Sequence, residues 1–488
     1  MKAVCVYDDH IMPDVFIGNI AGEKTFGEII LKRVSVRERF KKFYGSLKDA
    51  GELFEFDHEW HYDVLKKNIK RLRQGSRIIH IFSYQIIPDG RASGAEVLFE
   101  KAAYSAGNYV IKNEENAVIG FIMNNSEDYC DFMDEARDNL SDPETYKHFG
   151  FDFSVIESSD FFDISVYSNF RNYITGGFDA RFFNSVAGDE HIVKKTSRNK
   201  QKIKAEYTFY GLLPDDMKSW FVMPYDYEED DNTASYTMKR YHMTDLAVRY
   251  VHGAIDTKEF EKIMELSFYF ISHRASKTIS AQEYKDNADK LYLEKVKKRV
   301  AELKAHPGYP ELNKISQLYG NDYIDRLTER YVELYNKIDP EIKHKNISVI
   351  GHGDMCFSNM LFDKNSELLL LIDPKGALSE NDLWTDPYYD VAKLSHSICG
   401  RYDFFNNGLY RFDLDDSLHP VLEIDFDNTE YDKIFRYHLE ENGFSYNAVR
   451  LYEASLFLSM LPLHMDFPKK VFGFMQNAEY IMDKFVSE

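Results

Sequence analysis

The first section of the chain mixes short continuous apolar runs with helical stretches. Lys2 to Tyr7 (KAVCVY), Arg77 to Tyr84 (RIIHIFSY) and Ala117 to Met123 (AVIGFIM) read as buried strands. Longer amphipathic segments such as Phe26 to Leu47 separate them, so the pattern predicts an α/β layer. The polar stretch Asn139 to Asp142, followed by Pro143, marks an edge, and a helical segment near Ser165 to Tyr173 leads onward. The first domain is expected over residues 1–170.

From Phe178 the pattern changes. FDARFFNSV, a turn at Ala187 to Glu190 and HIVKKTS read as a hairpin, and Asn199 to Leu213 reads as a helix stopped by Pro214. Trp220 to Tyr227 and Ala234 to Tyr241 read as two strands joined by the acidic loop Glu228 to Asn232. Helices then dominate to Ile338, interrupted around His306 to Pro310. A compact strand-loop-strand from Ile347 to Asp373 and a helical C-terminal region follow. The order predicts an α+β bilobal unit, with a small sheet lobe over 171–245 and a large helical lobe over 246–488.

Composition narrows the function classes. With 44% hydrophobic and 15% aromatic residues over 488 positions, the chain can bury several cores and is neither disordered nor fibrous. The 81 acidic against 60 basic side chains leave a net charge of −21, which repels phosphodiester backbones and anionic lipid. Nucleic acid is therefore not an expected partner. Cys5, Cys130, Cys356 and Cys399 show no CxxC spacing and are too sparse to staple the chain, which points to a reducing cytoplasm. No apolar run approaches the roughly 18 residues needed to cross a bilayer, and the first strand is too short for a signal-peptide core. A cytosolic protein without a membrane span is expected.

The most informative stretch is VIGHGDMCFSNMLFDKNSELLLLIDPKG, from Val349 to Gly376. It contains His352-Gly353-Asp354, then Asn359, then a strand ending in Ile372-Asp373-Pro374. This segment resembles the catalytic segment of the aminoglycoside phosphotransferase and choline kinase superfamily, small-molecule kinases that share the protein-kinase fold. Moving a γ-phosphoryl group requires a carboxylate to orient the attacking hydroxyl and oxygen ligands for the Mg²⁺ that bridges the phosphates. The resemblance implies Asp354 as the catalytic carboxylate and Asn359 and Asp373 as metal ligands, with ATP and Mg²⁺ as cofactors. His352 is expected to support the loop by hydrogen bonding.

The same resemblance implies an upstream lysine on a strand and a glutamate on the next helix, holding the ATP phosphates. Lys194 and Lys195 end the strand HIVKK, and Glu206 lies in the following helix. Because strand side chains alternate, only one of the two lysines can face the cleft. Lys195 is favoured, sharing its face with Val193, and Lys194 stays open. Tyr236 to Tyr241 occupies the place where the family joins its lobes, so Met238 and Tyr241 are candidates for the adenine pocket. Arg181 or Asn184 is a candidate to reach the phosphates from the hairpin, in the absence of a glycine-rich loop. Asp386 and Asp390, in WTDPYYDVAKL, are expected to cap the next helix and to brace the catalytic loop.

The first 170 residues look similar to nucleotidyltransferase domains of sugar-nucleotide and phosphocholine pathways, on the strength of KAVCVY and the run TFGEIILKRVSVRERFKKF. The glycine-rich loop of those domains is missing, and Asp8-Asp9-His10 stands in its place. A degenerate, non-catalytic domain is expected, with Asp8 and Asp9 either turn carboxylates or a metal pair. The combined arrangement resembles proteins of bacterial capsule biosynthesis. It implies a small-molecule hydroxyl acceptor: a sugar, a polyol or an amino alcohol. A bifunctional nucleotidyltransferase-kinase and a pseudokinase scaffold are the alternatives.

Overall fold

A computed structural model describes residues 3–31, 33–48, 50–57, 62–73, 75–88, 90–148, 150–175, 184–188, 191–317, 320–338, 344–416 and 419–485. The chain divides into two compact units, Met1–Phe178 with His252–Ala254, and Asp179–Val251 with Ile255–Glu488. Arg181 lies outside the described residues, as does the side chain of Asn184.

The first unit is built on a six-stranded mixed sheet. Its strands are β1 (Val4–Asp9), β2 (Leu53–Asp57), β3 (Ile78–Phe82), β4 (Asn108–Lys112), β5 (Val118–Met123) and β6 (Phe153–Glu157), in the order β2-β1-β3-β5-β4-β6. β1 runs parallel to β2 and β3, and β5 runs antiparallel to β3 and β4. β1, β3 and β5 are buried along their whole lengths, which is why they read as largely apolar runs, broken only by Asp8 and Asp9 at the end of β1 and by His80 in β3. Tyr7, Ile79, Ile81 and Ile122 pack with Phe40, Tyr44 and Phe99 in one core.

The segment Phe26 to Leu47 is not one amphipathic element. A short hairpin pairs Ile30–Leu31 with Val34–Ser35 before helix α1 (Val36–Ser46) begins. The turn places Arg33 at φ 71, and the helix starts where Ser35 and Glu38 form a capping box. That cap outweighs the helical periodicity upstream of it.

In the second unit, β7 (Asn184–Gly188), β8 (Ile192–Ser197), β9 (Pro224–Glu229) and β10 (Ala234–Lys239) form an antiparallel sheet in the order β7-β8-β10-β9. Helix α2 (Lys200–Leu212) follows β8 and buries Ile203, Glu206 and Phe209. The strand expected from Trp220 begins only at Pro224; Phe221 instead forms a lone parallel bridge with Leu371. Helices α3 (Thr257–His273) and α4 (Lys295–Lys304) precede β11 (Ile347–Ile350), β12 (Met360–Asp363) and β13 (Leu368–Leu371). Helices α5 (Tyr388–Ile398), α6 (Tyr446–Met460) and α7 (Pro468–Lys484) complete the unit. α6 is buried from Ala448 to Met460, which accounts for its weakly amphipathic sequence.

The four cysteines are free thiols and buried. Among the described residues no helix is long and apolar enough to cross a membrane.

Candidate active site

The loop after β11 is held by its own backbone and by one buried carboxylate. Asp390, in the first turn of α5, accepts the His352 N–H through Oδ2 at 2.9 Å and the Gly353 N–H through Oδ1 at 2.7 Å. Arg274, just past α3, donates to the same Oδ2 at 2.9 Å and to the Pro387 carbonyl at 3.2 Å. Both charges are fully buried, so the pair is matched and hydrogen-bonded as buried ions must be. Asp390 thus braces the loop as its sequence position suggests. Arg274 carries no local signal, since its partner lies 116 residues away.

His352 supports the same turn from its ring. Its Nε2 lies 2.8 Å from the Ile372 carbonyl, its Nδ1 accepts the Asp354 N–H at 3.1 Å, and the ring stacks on Phe221. The Ile372 bond makes Nε2 the donor, so the neutral tautomer with its proton there satisfies both contacts.

Asp354 and Asn359 are tied by a 2.8 Å bond from the Asn359 amide nitrogen to the Asp354 carbonyl. That bond orients the amide and leaves its oxygen available to a cation. The Ile372 N–H donates to the Asn359 carbonyl at 3.0 Å, and Met360 pairs with Leu371 across β12 and β13. This register sets Asn359 beside Asp373, the residue after Ile372. Asp373 adopts φ 54, a left-handed conformation that Asp tolerates better than bulkier side chains.

Lys195 joins the two halves of the site. Its Nζ lies 2.8 Å from Glu206 Oε2 and 2.8 Å from Asp373 Oδ1. Burial alone would lower the Lys195 ammonium, but the charges of Asp373 and Glu206 outweigh it and raise its pKa. The Tyr236 hydroxyl also donates to Glu206, at 3.1 Å. Lys194 points to the other face of β8, where it pairs with Glu228 at 2.6 Å and stays exposed. Strand alternation therefore removes Lys194 from the site.

The segment after Asp373 docks on α2. Gly376 sits at φ 89, and a Cβ there would lie 2.7 Å from the Ala205 carbonyl carbon and 2.8 Å from the Glu206 nitrogen. The Ala377 N–H donates to the Ala205 carbonyl at 2.9 Å. Only glycine permits both the turn and the approach.

Met238 lines a small pocket of about 20 Å³ with Phe221, Tyr236, Leu371 and Asp373. Tyr241 is not among its lining residues and instead lies under the Lys239 ammonium, 5.1 Å from the ring centroid. A larger cavity, about 760 Å³ and lined by residues such as Arg401, Glu423 and Tyr480, contains none of these side chains. Asp386 accepts the Tyr388 N–H and the Tyr292 hydroxyl, each at 2.9 Å, and burial pushes its pKa up to about 6.

One neighbour of Asp354 was not singled out by sequence reasoning. Lys393 of α5 lies 2.8 Å from Asp354 Oδ1. Its signal was present in WTDPYYDVAKL, as the one cation of a helix otherwise buried from Tyr388 to Ile398.

The donor set suits a nucleotide-associated magnesium ion. One carboxylate and one amide oxygen meet the hard-oxygen preference of Mg²⁺, which takes its remaining ligands from water and phosphate. Among the described residues no group of three or more His, Cys, Asp or Glu is arranged to hold a metal by itself.

No family model matches the chain, and no curated protein matches it. Solved structures similar to it include two of aminoglycoside phosphotransferase APH(4)-Ia. An apo thermostable mutant is 12% identical over 62% of this chain and 95% of its own, with a TM-score of 0.33. A ternary complex with AMP-PNP and hygromycin B is 10% identical over 65% and 99%, with a TM-score of 0.36. A streptomycin-ATP-APH(2")-IIa ternary complex is 16% identical over 61% and 92%, with a TM-score of 0.31.

Proposed function

We propose that the chain is a magnesium- and ATP-dependent phosphotransferase that phosphorylates a hydroxyl group of a small molecule. The observation that carries this reading is the Lys195 ammonium held between Glu206 and Asp373, on the same unit as the Asp354–Asn359 loop. In this reading Lys195 binds the nucleotide phosphates and Glu206 keeps the lysine aimed at them. Asn359 and Asp373 hold the magnesium, which when bound screens the phosphate charge. Met238 lines the adenine side of the cleft. Asp354 orients the acceptor hydroxyl and receives its proton, aided by a loop that Asp390 keeps rigid.

The first unit acts as a binding or positioning module rather than a nucleotidyltransferase. The finer context is cytoplasmic, in capsule or surface-polysaccharide synthesis, with a sugar, polyol or amino alcohol as acceptor. Two measurements test the reading: ADP release across a panel of candidate alcohols, and ATP titration with and without Mg²⁺. Asp373→Ala is expected to remove the magnesium-dependent part of ATP binding and Asn359→Ala to weaken it less. An unchanged magnesium effect in the Asp373 variant would overturn the assignment.

A further inference from the structure

The phosphotransferase reading gives Asp354 an acceptor hydroxyl but says nothing of the rest of the acceptor. The surroundings of Asp354 carry that information. Of the eleven residues from Tyr388 to Ile398, all are buried except Lys393, whose side chain is 14% exposed and reaches Asp354. Tyr389 lies four residues earlier and so shares its face of α5. Its hydroxyl accepts a 3.0 Å hydrogen bond from the Lys295 ammonium of α4, which also sits 5.3 Å from the ring centroid. Asp354, Lys393, Tyr389 and Lys295 therefore line one polar path, hydrogen-bonded from Lys393 to Asp354 and from Lys295 to Tyr389.

The charge along this path does not balance. Among the described residues Lys393 pairs only with Asp354, and Lys295 pairs with no carboxylate. Two ammonium groups thus share one carboxylate, beside a phenol. Burial would raise the Tyr389 phenol, yet the charges of Lys393 and Lys295 outweigh it and bring its pKa below the ordinary tyrosine value. An uncompensated cation in a partly desolvated setting favours an anion. In a chain of net charge −21 this local excess runs against the overall field. The nucleotide phosphates already have Lys195, whereas Lys393 is attached to the residue that faces the acceptor.

We infer that Lys295 and Lys393, both near the Tyr389 hydroxyl, seat a negatively charged group of the acceptor, so that the substrate is an anionic alcohol bearing a phosphate or a carboxylate. This rests on the phosphotransferase reading. Lys295 is then a specificity-determining residue, and Lys393 serves both the acceptor anion and the position of Asp354.

The test uses the full chain saturated with magnesium and AMP-PNP, so that the nucleotide phosphates are already in place. Inorganic phosphate is titrated in, at constant ionic strength, and read by thermal shift. Wild-type protein is expected to be stabilised by phosphate, with the apparent affinity weakened about tenfold in Lys295→Met and restored in Lys295→Arg. A second arm measures ADP release with matched acceptors: glycerol against glycerol 3-phosphate, ribose against ribose 5-phosphate, glucose against glucuronate, and kanamycin as a cationic alcohol. The phosphate and carboxylate pairs separate the two sources of charge. An anionic member is expected to exceed its neutral partner about tenfold in kcat/KM, with the loss in Lys295→Met falling on acceptor KM.

The inference is overturned if phosphate has no more effect than chloride, or acts equally on the Lys295→Met variant. It is also overturned if neutral or cationic acceptors are used as well as anionic ones. Saturation with AMP-PNP that abolishes the phosphate effect would assign the lysines to the γ-phosphate and overturn it too. If none of the acceptors is turned over, the phosphate titration decides alone. Failure of AMP-PNP itself to bind in a magnesium-dependent way would instead sink the phosphotransferase reading, before any phosphate is added.

Discussion

Both units set aspartates at the end of a strand or in the loop just past one, and the two sets are used differently. In the first unit, Asp8 and Asp9 end β1 with side chains 0% and 1% exposed. Asp8 is taken up by His10 and by the buried His80, and Asp9 by the Thr25 hydroxyl, the Gly27 N–H and Arg37. In the second unit, the side chains of Asp354 and Asp373 are 41% and 38% exposed, and each is paired with a lysine. A carboxylate whose oxygens are filled by buried donors is a structural element. One that faces solvent with a lysine beside it keeps oxygens open to substrate or metal. Occupancy of the oxygens, rather than position at a strand end, separates the two.

The largest expected effect sharpens the structural side. Asp8→Ala leaves the buried His80 without its carboxylate and should destabilise the first unit by about 3–5 kcal/mol. Hydrogen exchange resolved along the chain checks this, with loss of protection in β1 and β3 expected. Unchanged protection there would break the comparison. On the other side, Asp354→Asn should lower acceptor phosphorylation by roughly a hundredfold or more while nucleotide binding persists, because an amide cannot receive the hydroxyl proton. Steady-state ADP release against ATP titration separates the two effects.

A smaller effect tests the face of β8. Lys195→Met should weaken ATP binding about tenfold, and Lys194→Met should not, since its partner Glu228 lies at the exposed tip of a hairpin. Calorimetric titration of both variants decides it.

The smallest effect is in pH dependence, where the two units should respond with opposite sign. Burial pushes the Asp8 carboxyl up, but His80 and His10 outweigh it and hold it at about 2. Its stabilising contribution is present above the ordinary carboxylate range and is lost as pH falls toward 2. In the second unit, burial pushes Asp386 up to about 6 and Asp403 up to about 7. Those groups favour the folded state when protonated, so their contribution is full below the ordinary carboxylate range and is lost as pH rises through 6 to 7. Exchange measured at pH 5 and pH 7.5 should show protection falling around α5 with rising pH and none falling in β1.

The same contrast explains what was legible in the sequence. The strands of the first unit and the order of hairpin, helix and two strands in the second follow from apolar runs and turn residues, because those patterns are local. Asp354, Asn359 and Asp373 were legible because two short strands bring them together within 20 residues of sequence. The choice between Lys194 and Lys195 leaned to Lys195 but stayed open, since adjacent strand residues differ only in which face the sheet buries. Arg274 was hidden because its meaning depends on Asp390, far along the chain. Lys393 was visible as a letter but not as a neighbour: a helix has to be placed against the loop before its one uncovered residue acquires a partner. Asp8 and Asp9 read as turn carboxylates or a metal pair, and only the distant donors His80, Thr25 and Arg37 show how their oxygens are used.

The contact at Gly376 has a mechanical consequence. Because main chain meets main chain there, the helix carrying Glu206 and the segment carrying Asp373 have almost no slack between them. Rotation or translation of that helix must drag the Asp373 segment with it, so the two carboxylates that hold Lys195 are displaced together or not at all. A side chain at this position would act as a wedge, prising the helix from the segment and spoiling the span of the lysine without altering any residue that touches a ligand.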